Sequence, residues 1–341
     1  MDKSLNQKLA ELRRDPGADV FILADARDAD MAWGVASPGK AWPPRPNGPQ
    51  HRSLEEYIQE GREIVEQGLI DILLASVSTM SVLAHAEHRF VASPVTPAIR
   101  ANDTTDIWLA RGSSYASERS RPFSTCTLAE AQFGRLGAPD SSTPAVNLGL
   151  YSVTFTNDVE HDRETLLAFK QFRADCARAG FRYFLEVFPP NVSCGIGPEL
   201  LPAYLNDQIA RTLAGVAREH RPIFLKIPYL GASWLEELVH YDPSLVIGIL
   251  GGASGTTFDA FKLVAEAKRH GARAALFGRR IKDAEHPLSF VALLRLVADS
   301  RISPEDAVRS YHDALDKRRI PAKRDLAADL ELTLPELKAA R

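Results

Sequence analysis

The chain has 341 residues, is 45% hydrophobic and carries 41 basic against 44 acidic residues, a formal charge of −3. That length can bury a full core as one large barrel or as two average domains, while the near balance of charge excludes the strong basic field that holds nucleic acid or an anionic membrane. A small-molecule ligand is the expectation, and three cysteines (Cys126, Cys176, Cys194) without CxxC or zinc-type spacing suit a reducing compartment.

The opening Met-Asp-Lys-Ser-Leu-Asn-Gln-Lys-Leu-Ala has no apolar secretion core, and no stretch reaches the roughly 20 apolar residues of a spanning helix. A cytoplasmic protein is expected. Apolar strand-like runs then alternate with amphipathic helical ones, the pattern of repeated βα units on a parallel sheet. The candidate strands are Val20–Ala24, Ile70–Ala75, Asp106–Ala110, Val146–Tyr151, Tyr183–Phe188, Ile223–Ile227, Val246–Leu250 and Ala274–Phe277. Such a series points to a closed α/β barrel, the (β/α)₈ or TIM barrel, rather than an open doubly wound sheet. The helices predicted between and after them are Ser53–Glu66, Asp162–Ala179, Leu200–Glu219, Thr257–Arg269, Pro287–Asp299 and Pro304–Leu315. Ser53 with Glu56 reads as a capping box, and Ser303 before Pro304, Glu305 and Asp306 as an N-cap with proline and an acidic first turn.

Two segments break the alternation. Residues Ser37–Gln50 are too rich in Pro and Gly for regular structure and follow the first strand, so they read either as a lid over the active face or as an inert surface loop. Arg111–Thr143 reads as an insertion with a short helix near Leu128–Arg135. The expected organisation is one barrel with an N-terminal helix over 1–317. A charged tail, Arg318–Arg341, follows and is placed to dock on the barrel or on a neighbouring subunit.

The chemistry is suggested by charged residues inside apolar runs. Lys226 sits in Pro222-Ile-Phe-Leu-Lys-Ile-Pro-Tyr229, and Glu186 in Phe181-Arg-Tyr-Phe-Leu-Glu-Val-Phe188. A lysine among low-dielectric groups is pushed toward its neutral amine, which can attack a carbonyl and form a Schiff base. Alternation puts Lys226 on the face opposite Leu225 and Ile227, toward the barrel interior at the end of its strand. Glu186 is its acid/base partner, and a structural ion pair between the two stands as the competing explanation. After the seventh strand comes Gly251-Gly252, and after the eighth Gly278-Arg279, where barrels bind phosphate through backbone N–H groups and helix N-termini. Asp25, after the first apolar run, offers a carboxylate to orient the lysine or bind substrate hydroxyls. A cap or turn role is the alternative, for which Asp28 and Asp30 compete. The histidines suggest no metal site: His85 and His88 are three apart on a predicted helix, His51 and His161 lie in polar surroundings, and none ends a strand.

Taken together, Asp25, Leu-Glu186-Val-Phe-Pro, Leu-Lys226-Ile-Pro-Tyr, Gly251-Gly252 and Gly278-Arg279 resemble the class I aldolases of the bacterial tagatose-bisphosphate and archaeal fructose-bisphosphate type, across most of residues 20 to 282. The resemblance implies Lys226 as the Schiff-base lysine, Glu186 as the proton-transfer group and Asp25 as an orienting carboxylate. Gly251, Gly252, Gly278 and Arg279 become the phosphate cradle. It implies a lyase acting on a ketose, expected to be phosphorylated, with no metal or organic cofactor, working as a homo-oligomer. The chain departs from the pattern at two places. Asn147 stands where the tagatose type carries a second lysine on strand four, which makes it a substrate-contact candidate, and Phe188 stands where the archaeal type has a tyrosine. Tyr151 and Tyr229 are candidate replacements for the missing hydroxyl. A barrel that binds a sugar phosphate or another anion without turning it over is the alternative function.

Overall fold

The computed structural model describes residues 2–137, 143–252 and 255–338. Eight parallel strands close into a barrel in sequence order: β1 (Ile22–Arg27), β2 (Ile72–Ala75), β3 (Thr96–Arg100), β4 (Leu148–Thr154), β5 (Arg182–Phe188), β6 (Leu225–Ile227), β7 (Ile247–Leu250) and β8 (Ala274–Phe277), with β8 pairing back onto β1. The main helices are α1 (Ser4–Arg14), α2 (Leu54–Gln67), α3 (Val159–Ala179), α4 (Leu201–Ala214), α5 (Ala232–Tyr241), α6 (Thr257–Arg269), α7 (Pro287–Ala298) and α8 (Pro304–Arg318).

The strands have two separate cores, as their period of two requires. Ile22, Ala24, Ile72, Leu74, Ala98, Leu148, Leu150, Phe184, Phe224, Ala274 and Leu276 fill the barrel axis, whereas Leu23, Leu73, Ile99, Tyr151, Leu185, Leu225, Ile249 and Phe277 meet the helices. Leu5, Leu9 and Leu12 of α1 belong to the inner cluster, so this helix plugs the N-terminal end of the barrel beneath the stacked rings of Phe184 and Phe224. Only the C-terminal end stays open.

Three sequence expectations change. The third strand is Thr96–Arg100, and Asp106–Ala110 is instead a single 3-10 turn (Thr105–Ile107) followed by irregular chain. Pro97 hid the true strand, because proline normally argues against an internal strand, while Ile-Trp-Leu-Ala drew the assignment ten residues too far. The first strand runs to Arg27 rather than stopping at Ala24, which leaves Asp25 in mid-strand. The helix expected through Glu219 ends at Ala214, with a separate 3-10 turn at Arg218–His220. The capping box forms as its spacing suggests: Glu56 N–H donates to Ser53 Oγ and Ser53 N–H to the Glu56 carboxylate.

The tail packs against the C-terminal face. Thr257 N–H donates to Asp329 (2.8 Å), Thr256 Oγ1 to the Glu331 carbonyl (2.7 Å) and Thr333 N–H to Asp259 (2.8 Å), while Leu337 is fully buried. Trp42 of the Pro-rich loop donates its ring N–H to the Pro321 carbonyl at 2.7 Å, so that loop leans toward the tail. Among the described residues no helix is long and apolar enough to cross a membrane.

Candidate active site

Each of four consecutive strands, together with the turn after β1, sends one polar side chain to the inner face just above the apolar plug. Arg100 ends β3, Ser152 lies two residues beyond inward Leu150, Glu186 two beyond inward Phe184, and Lys226 two beyond inward Phe224. Asp28 follows β1 on the inward parity of Ala24 and Ala26. The register sets Ser152 beside Glu186 and Glu186 beside Lys226. Lys226 in turn pairs with Gly248, and a Cβ there would lie 2.7 Å from the Leu225 carbonyl, so glycine keeps the strands closed beside the lysine.

These groups form one continuous chain of alternating charge. Lys226 Nζ lies 2.5 Å from Glu186 Oε1, whose other oxygen accepts from Ser152 Oγ at 2.7 Å and from Arg100 at 3.3 Å. Arg100 also donates to Ser152 Oγ (2.8 Å) and, through Nε, to Asp28 (2.5 Å). All five residues are buried, with Glu186 1% and Lys226 6% exposed, so only mutual pairing offsets the loss of hydration. Burial alone would push the Asp28 carboxyl up, but Arg100 and then Lys226 outweigh it and hold it below the usual range. For Arg100 burial works the other way, but the carboxylates of Asp28 and then Glu186 outweigh it and strengthen its hold on its proton.

Above this floor opens a cavity of about 230 Å³ at the C-terminal mouth, lined by Asp28, Arg100, Glu186 and Lys226 and, on the opposite rim, by Gly251, Gly252, Gly278 and Arg279. Gly252 has φ +68°, open to glycine at no cost. Gly251 and Gly278 also answer a packing need, since a Cβ would meet Phe277 at 2.5 Å or the Ala26 carbonyl at 2.5 Å. Arg279 stacks on Trp33, its guanidinium carbon 5.3 Å from the ring centroid, and makes no ion pair among the described residues. Arg280 is not among the residues lining the cavity; it donates to the carbonyls of Gly251 (3.3 Å) and Thr256 (2.9 Å) and so braces the loop after β7.

Four candidates fall outside the cavity: Asp25, Asn147, Tyr151 and Tyr229. Asp25 has the outward parity of Leu23: it is wholly buried beneath α2, where Arg27 Nε donates to it at 2.5 Å and Arg27 reaches on to Glu60. Asp28, weighed in the sequence only as a cap, is the carboxylate of this segment that lines the cavity with Lys226. Asn147 lies before β4, at the closed end, accepting from Gln132 Nε2 (3.1 Å) and donating to the Gly180 carbonyl (3.0 Å). A lysine's counterpart read from linear spacing has landed at the wrong end of the strand. Tyr151 stacks on Phe172 in the helix layer, and Tyr229 faces outward, its buried hydroxyl without a hydrogen-bond partner among the described residues. Among the described residues that line the cavity, none falls within 37–50. Its roof is Ala29–Trp33 and Ile107–Leu109, joined where Leu109 N–H donates to the Ala32 carbonyl at 2.9 Å.

Sequence reasoning missed Arg100, Ser152 and the roof. Arg100 had a signal identical to that of Lys226 and Glu186, a charge closing the apolar run Val-Thr-Pro-Ala-Ile, obscured by Pro97. Ser152 could be found only by parity. Among the described residues no group of three or more His, Cys, Asp or Glu is placed to hold a metal, and His85 instead meets the Ala131 carbonyl at 3.1 Å.

No family model and no curated protein sequence matches the chain. Its fold does match solved structures. A fructose-bisphosphate aldolase from Slackia heliotrinireducens superposes with a TM-score of 0.64 at 12% identity, covering 90% of this chain and 91% of that one. An archaeal fructose 1,6-bisphosphate aldolase gives 0.57 at 13% identity over 87% of this chain and all of its own. A Schiff-base-forming fructose-1,6-bisphosphate aldolase gives 0.56 at 16% identity, with 88% and 100% covered. At such identities the likeness establishes a shared barrel, and the chemistry has to be argued from this chain's own residues.

Proposed function

We propose that this barrel is a class I aldolase-type lyase that makes or breaks a C–C bond next to a carbonyl through a Schiff base on Lys226. One observation carries the reading: a buried lysine lies 2.5 Å from a buried carboxylate on the floor of the open mouth. A proton passed from Nζ to Glu186 yields a neutral amine beside a carboxylic acid, the two species that carbonyl addition needs. The amine attacks the carbonyl carbon and Glu186 protonates the oxygen. Loss of water from the resulting carbinolamine leaves an iminium. That cation accepts the electron pair of the breaking C–C bond as an enamine, while a carboxylate takes the proton from the β-hydroxyl of the departing aldehyde. Asp28 and Glu186 are the carboxylates on the cavity floor. Protonation of the enamine and hydrolysis of the imine release the second carbonyl product and restore the amine. Arg100 and Ser152 keep Glu186 oriented throughout. The fold shared with Schiff-base aldolases fits this reading, as does the Gly251, Gly252, Gly278 and Arg279 rim, which offers backbone and one cation to an anionic substrate.

Purified protein should cleave a β-hydroxy carbonyl substrate in excess chelator at an unchanged rate, and Lys226→Met should lower kcat/KM by about 10³-fold or more. Loss of activity to chelator, or a Lys226→Met enzyme that still turns over, contradicts the mechanism. A binding barrel without turnover is the second reading, favoured by the complete mutual pairing of Glu186 and Lys226. It predicts ligand-induced thermal stabilisation that survives Lys226→Arg, with no product formed.

A further inference from the structure

The polar floor of the cavity is internally balanced. Asp28 and Glu186 offset Arg100 and Lys226 through the contacts described above, and both Arg100 and Glu186 have their strongest donors or acceptors committed within that group. Among the described residues lining the mouth, Arg279 is the cation with no carboxylate at ion-pair distance, and it is pinned at the rim by Trp33. The walls are of a different kind. Ala32, Trp33, Ile107, Leu109, Phe188 and Leu250 close around the remaining space, contributed by the turn after β1, the excursion after β3, and the ends of β5 and β7. Apart from the indole N–H of Trp33, their side chains are apolar. Phe188 stands two residues beyond Glu186 on the same inward parity, so it bounds the space directly above the carboxylate.

A substrate with two phosphates and several hydroxyls would need a second cation and hydrogen-bonding walls. Hydroxyls held against Ile107, Leu109 and Phe188 lose water without gaining partners, an expensive exchange in a site of this size. An apolar chain or ring gains there instead.

Resting on the Schiff-base reading, we propose that the substrate is a carbonyl compound with a single anionic group, held at Arg279 and the glycine rim, and an apolar remainder seated against the Trp33, Leu109 and Phe188 wall. A phosphate and a carboxylate share the chemistry that Arg279 recognises, and the arms of the test separate them.

The test is competition for borohydride capture at Lys226, read by intact mass and peptide mapping on the full chain. The probes are fructose 1,6-bisphosphate, dihydroxyacetone phosphate, pyruvate, 2-oxo-4-phenylbutanoate and the uncharged 4-phenyl-2-butanone. The phenyl keto acid should capture more efficiently than pyruvate and than the uncharged ketone, each by about tenfold or more, and fructose 1,6-bisphosphate should capture least. Dihydroxyacetone phosphate outrunning pyruvate identifies phosphate as the preferred anion, and the reverse identifies carboxylate; the apolar preference is required in both. Leu109→Ser should erase most of the phenyl advantage, and Arg279→Met most of the anion advantage, while each still forms some adduct. Preferential capture of fructose 1,6-bisphosphate overturns the substrate assignment and leaves the Schiff-base mechanism standing. Absence of any adduct with all five overturns both.

Discussion

At the scale of single residues, the account turns on which side of its strand a charge faces. Asp25 and Asp28 are three apart and share a residue type, yet one lies under α2 and the other above the barrel axis. Their titrations separate accordingly. Burial pushes Asp25 up to about 6, an effect that Arg27 offsets only in part. Its folded value therefore lies above its unfolded one, near 4, so its contribution to stability is complete at low pH and is lost as pH rises toward and through about 6. Asp25→Asn removes that dependence, so denaturant titrations should show the variant gaining on the parent by up to about 3 kcal/mol between pH 4 and 7. An unchanged difference across that range contradicts the assignment. Asp28 has the opposite sign, held below the usual range, and its contribution is lost only in acid. Arg100 is the shared partner of Asp28 and Glu186, and Arg100→Met leaves two buried carboxylates short of a cation. It should cost about 3–5 kcal/mol in equilibrium unfolding. The double change Asp28→Leu with Arg100→Met should cost less than the sum of the two singles, and strict additivity would show that the two groups do not interact.

At the scale of elements, strand pairing and glycine placement decide where Lys226 points. Gly248 is its register partner, and the closest approach a methyl would make there is to the backbone carbonyl of Leu225, which cannot rotate away. Gly248→Ala should destabilise the fold by about 1–3 kcal/mol, as overpacking does, and should also slow Schiff-base formation because β6 must shift. A variant of native stability and full reactivity would remove the strand-spacing argument. The same scale explains what was legible beforehand. Glu186 and Lys226 stood out because a charge in an apolar run breaks the pattern of a buried strand, and parity then gave their direction. The third strand was not legible, since Pro97 suppressed one signal and Ile107-Trp108-Leu109 supplied a false one. Those three residues are apolar because two of them, Ile107 and Leu109, line the roof of the cavity.

At the scale of the molecule, the barrel class was legible from the alternation of runs and caps, whereas contacts between distant segments were not. Linear spacing could not say that Arg280 braces the loop after β7, or that the C-terminal segment bonds the first turn of α6 through Asp329, Glu331 and Thr333. That segment braces the start of α6, the helix that follows the loop after β7. A chain ending after Arg324 should therefore melt several degrees lower, on the order of 4 °C for each lost 1–2 kcal/mol in a chain of this size. It should also show a larger rise in KM for the anionic substrate than fall in kcat. Unchanged KM in a folded truncation would detach the tail from the site.

The central claim is that the Lys226 amine itself bonds to the substrate carbon. Incubating the protein with a carbonyl substrate and sodium borohydride, then mapping the modified peptide by mass spectrometry, examines that bond directly. The account predicts one irreversible adduct on Lys226, absent without substrate and absent in Lys226→Arg; turnover of that substrate with no adduct, or an adduct on another lysine alone, would contradict it.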